Sequence, residues 1–210
     1  MKLTTCILTV LWLAVQPAVS QDAAGILSKA ADLCRQSSGI TASFTLRTLT
    51  EHHSESIQGV IHIKGDKFAL LTPEMKTWYD GKTQWTYLEQ TGEVNVSAPE
   101  GDELQFTNPA ILLESYEKDF MAVYTGEVAA PNGRTACGVE LKPRKRTDIV
   151  RVDLQIEKAS GLPVRLAVQM KNNASHIVQI SEIKTRAGLQ DAFFTFPQKD
   201  YPQAEIIDLR

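Results

Sequence analysis

The chain has 210 residues, with 22 Lys and Arg, 25 Asp and Glu, and a formal net charge of -3. That length is sufficient for one domain with a substantial hydrophobic core. The chain lacks the excess of positive charge that is typical of proteins that bind nucleic acids or anionic membranes, so we expect neither as a partner.

The N-terminus is typical of a secretory signal peptide. Lys2 precedes a short apolar run, and the small residues at positions 18–20 fit a cleavage site. The run is too short to span a bilayer stably. We therefore predict that residues 1–20 are a cleaved signal peptide, that residues 21–210 form a single domain, and that the mature protein is exported.

Two cysteines, Cys34 and Cys137, remain after the predicted cleavage. In an oxidising compartment they either form a disulfide or stay as two small buried apolar side chains. The sequence leaves both alternatives open, because a domain of this size is stable without a disulfide.

The first predicted element is an amphipathic helix over residues 22–34, where apolar residues recur at helical spacing. From Ala42 onward apolar and polar residues alternate, which predicts β-strands with one buried face. A turn at residues 65–66 reverses the chain. It places Phe68 opposite Ile63 and Leu70 opposite Ile61.

The next segment, TWYDGKTQWTYLEQTGEV (residues 77–94), contains Asp-Gly, a strong signal for a hairpin turn. A two-residue loop pairs Trp78 with Thr83, and alternation then places Trp78, Trp85 and Tyr87 on one face. These rings either fill an ordinary core or line a cavity. Because their face is the more apolar, we predict that it points inward, on the same concave face as Ile61, Ile63, Phe68 and Leu70.

A short helix then interrupts the strands, with Thr107 or Asn108 as its N-cap and Pro109 as its first residue. Five further strands are predicted between residues 120 and 184. The clearest alternates Val150, Val152, Leu154 and Ile156 with polar residues. The stretch FFTFP at residues 193–197 is predicted to be the last strand.

About ten strands with short connections predict a mainly β fold with a few helices, of the α+β class. We expect a strongly curved antiparallel sheet that forms a barrel or half-barrel, because a sheet of this size tends to curl. The concave face of such a sheet must be filled or covered. Side chains of the two predicted helices are the available cover.

No pattern typical of a catalytic or phosphate-binding site is found in the sequence. His52 and His53 lie in a polar stretch that favours solvated side chains over a metal site, and His62 and His176 stand singly in predicted strands. We therefore predict a binding protein that is not an enzyme and that uses no metal or cofactor. An exported curved sheet with an aromatic concave face favours a carrier of an apolar ligand.

Several stretches match, in order, the motifs of one family. ASFTLRTL (residues 42–49) is similar to its Ala-Ser-Phe-x-Gln strand, with Leu46 in place of Gln, and YDGKTQWTYLEQTGEV (79–94) to its Asp-Gly-Lys-x-Leu-Trp-x-Tyr hairpin. DAFFTFPQKDYPQAEIID (191–208) is similar to its closing Phe-x-Phe-x-Pro segment. Members of that family often have an Arg-Pro pair in the turn before the Phe68 strand, where this chain has Gly65-Asp66. The chain thus resembles the LolA-like periplasmic carriers of outer-membrane lipoproteins over nearly all of its mature length.

The resemblance implies that the acyl chains of a lipoprotein occupy the space between a bent, open barrel and its lid. It implies a periplasmic carrier, which we expect to be a monomer. It also implies that an inner-membrane ABC transporter complex supplies the cargo and that an outer-membrane acceptor receives it. Exposing one methylene group to water costs about 0.8 kcal/mol of free energy, so exposing a chain of roughly fifteen carbons costs on the order of 12 kcal/mol. Transfer through an aqueous compartment therefore requires a soluble shield.

The predicted site follows from the strand faces and from the resemblance. The residues predicted to line the lipid-binding cavity are Phe44, Leu46, Ile61, Ile63, Phe68, Leu70, Trp78, Trp85 and Tyr87. The predicted lid consists of Pro109, Ala110, Leu112 and Leu113. The alternative function is a periplasmic lipid- or lipoprotein-binding sensor or regulatory protein of the same fold, without shuttle activity. A hydrolase with an unrecognised site is the enzymatic alternative.

Overall fold

The computed structural model describes residues 22–99, 104 and 109–210. The predicted signal peptide and the predicted N-cap residues Thr107 and Asn108 lie outside the described residues. Helix α1 spans Ala23–Gln36 and helix α2 spans Pro109–Asp119. Two 3₁₀ helices span Asp191–Phe194 and Gln198–Asp200.

Twelve described strands form one sheet. They are β1 (Ile40–Leu49), β2 (Ser54–Lys64), β3 (Lys67–Leu71), β4 (Met75–Tyr79), β5 (Gln84–Leu88), β6 (Glu93–Ser97), β7 (Phe120–Ala129), β8 (Thr135–Pro143), β9 (Ile149–Glu157), β10 (Pro163–Met170), β11 (Ser175–Thr185) and β12 (Glu205–Asp208).

The sheet consists of two meanders, β1–β6 and β7–β11, which the pairing of β1 with β11 joins. All neighbours are antiparallel except β12, which runs parallel to β6 at one edge. The sheet is curved and does not close. The predicted fold class, a mainly β open half-barrel with a helical lid, is therefore confirmed.

Helix α1 begins at a well-formed N-cap. The Asp22 carboxylate accepts hydrogen bonds from the backbone N–H groups of Ala24 and Gly25, at 3.1 and 3.3 Å. These bonds satisfy two of the amides that the first helical turn leaves open. The helix continues two residues beyond the predicted end at Cys34, and it packs against α2.

One face of the sheet, called here the cavity face, packs against α1 and α2. It includes Phe44, Ile61 and Leu154, which are buried in the largest hydrophobic cluster. Gly59 pairs with Phe44 on the neighbouring strand. A Cβ atom at Gly59 would lie 2.6 Å from the Phe44 ring, so a residue without a side chain is needed for this ring to lie across β2.

The opposite surface of the sheet is called here the outer face. Over β2 to β6 it is covered by the C-terminal segment, residues 189–204, which packs on it through Phe194, Phe196 and Tyr201. The prediction of a strand at residues 193–197 is wrong, because Phe193 and Phe194 end a 3₁₀ helix. The last strand is β12, whose parallel pairing with β6 was not predicted.

The predicted pairing across the first turn is confirmed, because Ile63 pairs with Phe68 and Ile61 with Leu70. The predicted hairpin register is wrong by two residues, because Trp78 pairs with Trp85 rather than with Thr83. The Asp80 carboxylate accepts hydrogen bonds from the amides of Lys82 and Thr83, which stabilises a four-residue loop. A shift of two leaves every side chain on its predicted side of the hairpin.

The predicted alternation of β9 holds for Val152, Leu154 and Ile156, which are all buried. It fails for Val150, which is 48% exposed. The pairing of β9 with β10 is irregular at Met170, which is paired with Ile149. That irregularity turns Ile149, instead of Val150, toward the cavity.

Candidate functional site

An apolar cavity of about 1120 Å³ lies between the cavity face and α2. Pockets for drug-sized ligands are commonly about 300–1,000 Å³, so this space is large for a domain of this length. The first meander contributes aliphatic and aromatic walls, including Phe44, Leu46, Ile57, Ile61 and Leu70. Such a wall favours an apolar ligand without fixing its orientation.

The second meander supplies the opposite wall, which was not assigned to the site from the sequence. Its apolar members include Leu154, Leu166, Val168, Met170, Val178 and Ile180. In the sequence, Leu166, Val168 and Met170 stand at alternate positions, which is the pattern of one apolar strand face. The sequence signal was therefore present, but only the pairing of β1 with β11 brings this face opposite the first meander.

Four of the predicted cavity residues, Phe44, Leu46, Ile61 and Leu70, line the cavity. Ile63 and Phe68 lie on the cavity face, but they do not line the cavity itself. Phe68 is fully buried and its ring lies 5.5 Å from that of Tyr79. These two residues support the wall instead of forming its surface.

Three predicted cavity residues, Trp78, Trp85 and Tyr87, lie on the outer face, so the prediction that they share a face with Ile61 and Leu70 is wrong. Trp78 pairs with Ala69, and Leu70 pairs with Thr77. The length of the turn at residues 72–74 determines on which face of the sheet each β4 side chain lies. A turn one residue longer or shorter would have brought the rings inward.

The three rings form a packed cluster with the C-terminal segment. The Trp78 ring lies 5.5 Å from Phe196 and 5.9 Å from Tyr201, and Tyr87 lies 4.5 Å from Tyr201. These are favourable separations for aromatic pairs. The rings therefore hold the C-terminal segment to the sheet, which agrees with the alternative of ordinary core packing.

Two of the four predicted lid residues line the cavity. Leu112 and Leu113 of α2 are buried and face the space between helix and sheet. Pro109 and Ala110 begin the same helix, but their side chains lie outside the described part of the structure. Helix α2 thus occupies the position expected of a lid.

One end of the cavity, called here the mouth, is lined by exposed polar residues of the turns at 72–74 and 89–92. They include Glu74, Glu89 and Gln90. Lys76 forms an ion pair with Glu89, and its ammonium group lies 5.2 Å from the Tyr201 ring centroid. The hydrogen bond to Glu89 is the main cause that raises the pKa of Lys76. The mouth is thus wet and charged, whereas the walls are dry.

Two histidines make the same kind of contact on opposite faces of the sheet. His62 Nδ1 lies 3.0 Å from Thr41 Oγ1, on the outer face, where the ring of Phe193 covers it at 4.7 Å. Burial lowers the pKa of His62. His176 Nδ1 lies 3.3 Å from Thr48 Oγ1, and His176 lines the cavity.

Within the described residues, no group of three or more His, Cys, Asp or Glu side chains is arranged to hold a metal ion. Both Cys34 and Cys137 are buried. Among the described helices, none combines the length and the apolar character that crossing a bilayer requires.

Solved structures resemble the fold at low sequence identity. An uncharacterized conserved protein from Thermus thermophilus has a TM-score of 0.61 at 17% identity, over 88% of this chain and 97% of that one. A LolA superfamily protein from Nitrosomonas europaea has a TM-score of 0.46 at 15% identity, over 85% and 98%. A putative outer membrane lipoprotein-sorting protein domain from Vibrio parahaemolyticus has 0.44 at 10%, over 84% and 97%.

No curated protein matches the sequence significantly. A family model does match, and it covers residues 14–172, which is most of the chain. That model describes the outer membrane lipoprotein carrier protein LolA. The chain therefore belongs to the LolA family of outer membrane lipoprotein carrier proteins.

Proposed function

We propose that the protein binds the acyl chains of lipoproteins in its cavity and carries them through the periplasm. The observation that supports this most directly is a cavity of about 1120 Å³ with walls of aliphatic side chains. A wall of this kind binds by area and shape, because apolar surface removed from water stabilises a complex at roughly 25 cal/mol per Å². Acyl chains are the ligands whose chemistry fits it.

Helix α2 is the element that would admit the cargo. Leu112 and Leu113 contribute to the cavity wall while they are buried, so moving the helix would open the cavity and expose them. Exposure of two Leu side chains costs about 3–6 kcal/mol. An acyl chain that replaces those contacts offsets the cost, which makes opening and loading a single coupled step.

In the proposed cycle, an inner-membrane ABC transporter complex loads the carrier and an acceptor at the outer membrane unloads it. The carrier itself is a monomer consisting of residues 21–210, exported after cleavage of residues 1–20. It uses no cofactor and catalyses no reaction. Membership of the LolA family supports this cycle, and the wall needs no placed proton or nucleophile for it.

The first experiment compares two neighbouring residues of β11. Val178 lines the cavity, whereas Ile177 is on the outer face and pairs there with Ala167. Val178→Asp places a charge against apolar surface, which costs several kcal/mol when the carboxylate is unpaired. We expect it to abolish binding of a palmitoylated fluorescent peptide. Ile177→Asp should bind that peptide as the wild type does.

The second experiment tests transport itself. The wild-type protein, loaded with a triacylated lipopeptide, is mixed with vesicles that contain outer-membrane acceptor. We expect the lipopeptide to move to the vesicles with its mass unchanged. Tight binding without transfer would favour the sensor alternative, and release of a deacylated peptide would favour a hydrolase. Equal binding by the two β11 variants would contradict the cavity as the site.

A further inference from the structure

The cavity wall contains one polar strand residue among the described residues that line it, His176 at the start of β11. The other polar liners, such as Glu74 and Gln90, belong to turns at the mouth. His176 lies at this end of the sheet, because its strand begins there beside the last residues of β1. It therefore stands where a dry wall meets a wet mouth.

The His176 ring is oriented by its neighbour on β1. Thr48 is paired with His176, and its Oγ1 lies 3.3 Å from Nδ1. A neutral imidazole carries one N–H donor and one acceptor nitrogen. When the Thr48 hydroxyl donates to Nδ1, the proton is on Nε2. Among the described residues none forms a hydrogen bond with Nε2, so this N–H is open to a ligand in the cavity.

The depth of the cavity above His176 fits an acyl chain. Ile180, which also lines the cavity, lies four residues further along β11, which is roughly 13 Å at about 3.3 Å per residue. One leaflet of a bilayer contributes about 15 Å, half of a hydrocarbon core of about 30 Å. A membrane acyl chain whose first carbon is level with His176 is therefore long enough to reach Ile180.

We propose that His176, oriented by Thr48, donates a hydrogen bond to the carbonyl oxygen of the ester or amide that links an acyl chain to its cargo. This inference rests on the proposed function and assigns the residue that fixes the depth of the bound chain. It also defines the ligand class further, because an acyl chain has this carbonyl and an alkyl ether does not.

His62 supplies the comparison with a purely structural histidine. It forms the same contact with a Thr of β1, but Phe193 covers it and it does not line the cavity. If bridging two strands were the only role of such a pair, the ring at His176 would be expected to be covered in the same way. Its position on the cavity wall points to a ligand instead.

The test uses two probes with the same fluorophore and the same sixteen-carbon chain, one joined through an ester and one through an ether. Dissociation constants are measured for the wild type, His176→Leu, Thr48→Val and the control His62→Leu. Circular dichroism and thermal unfolding establish that each variant is folded. A fifth variant, His176→Gln, restores an N–H donor at the same position.

We expect the wild type to bind the ester probe about three- to tenfold more tightly than the ether probe, as one hydrogen bond predicts. His176→Leu should lose this preference and bind the two probes with equal affinity. His62→Leu should keep the preference, Thr48→Val should reduce it, and His176→Gln should regain part of it.

Three results would overturn the inference, and they differ in whether the proposed function falls with it. Equal binding of both probes by the wild type, or a preference that survives in His176→Leu, would remove the role of His176 and leave the carrier function standing. Failure of the wild type to bind either probe would remove the proposed function and this inference together.

Discussion

The two faces of the sheet are built from the same strands, but one borders a cavity and the other is covered by a packed segment of the chain. On the cavity face, Leu70 borders a space of about 1120 Å³. On the outer face, the next residue, Leu71, packs against the aromatic cluster under the C-terminal segment. Both faces are apolar, but Leu70 faces the cavity, whereas Leu71 is packed against other side chains of the protein.

The comparison shows that hydrophobic character does not identify a binding wall. Trp78 and Tyr87 have larger apolar side chains than Leu46 or Val178. Their rings, however, pack against those of Phe196 and Tyr201 and do not line the cavity. The cavity is lined mainly by aliphatic side chains, and some of them, such as Leu46, Leu70 and Val178, are only half-buried. Aromatic residues anchored by specific ring contacts hold structure together, whereas aliphatic walls without such contacts can accommodate a flexible chain.

The largest expected effect is on the outer face. Phe194→Ala removes a fully buried ring, so we expect the free energy of unfolding to fall by about 3–5 kcal/mol. The affinity of the folded protein for a palmitoylated peptide should be unchanged. Urea unfolding and a fluorescence titration measure the two quantities. Phe193→Ala is the control, because that ring is 41% exposed and its loss should cost far less.

One result for Phe194→Ala would contradict the separation of the two faces into a binding face and a packed face. If Phe194→Ala lost affinity for the peptide without losing stability, the C-terminal segment would belong to the binding site.

The second prediction concerns the lid. Amides of α2 should exchange with solvent faster than those of β9 in the empty protein, because the helix opens without unfolding the sheet. Ligand at a hundred times its dissociation constant should slow α2 exchange by up to about a hundredfold, or about 2.7 kcal/mol. Hydrogen exchange with mass spectrometry measures both segments. Identical protection of α2 and β9, with and without ligand, would exclude a moving lid.

The third prediction separates the two faces at neighbouring positions. Leu70→Ala and Leu71→Ala each remove a half-buried side chain, so we expect each to lower the free energy of unfolding by about 1–2 kcal/mol, less than full burial would cost. Only Leu70→Ala should weaken peptide binding, because only Leu70 lines the cavity. Paired unfolding and titration experiments measure this, and equal losses of affinity would contradict the assigned faces.

The smallest expected effect concerns an ion pair that holds the C-terminal segment. Hydrogen bonds from Lys67 and Lys64 lower the pKa of Asp191 from 3.8 to about 2. The folded protein therefore holds this carboxylate ionised more strongly than the unfolded chain does. Its contribution to stability is present above pH 4 and is lost as the pH falls to about 2.

Asp191→Asn should remove that part of the pH dependence between pH 4 and pH 2, as measured by thermal unfolding at a series of pH values. The effect should be small and should shrink in high salt, because these side chains are exposed. A variant whose pH profile coincides with that of the wild type would show that the ion pair does not stabilise the segment.

The features that depend on nearby residues could be predicted from the amino-acid sequence. Alternation identified the strands from β1 to β11, helical spacing identified α1, and the turn at residues 65–66 determined the pairing of Ile61 with Leu70. Period and turn chemistry operate over a few residues, so they can be read without the fold. Phe44, Leu46, Ile61 and Leu70, which are among the residues predicted from the sequence, line the cavity.

The face of the β4–β5 hairpin that borders the cavity, by contrast, depends on the fold as a whole. The turn at residues 72–74 sets the side on which Trp78 lies, and a change of one residue would reverse it. The C-terminal segment is distant in sequence from the rings that it covers, so no local pattern predicts that contact. The pairing of β1 with β11 likewise brings His176 and Val178 opposite the first meander. These features depend on contacts between remote parts of the chain, which periodicity does not encode.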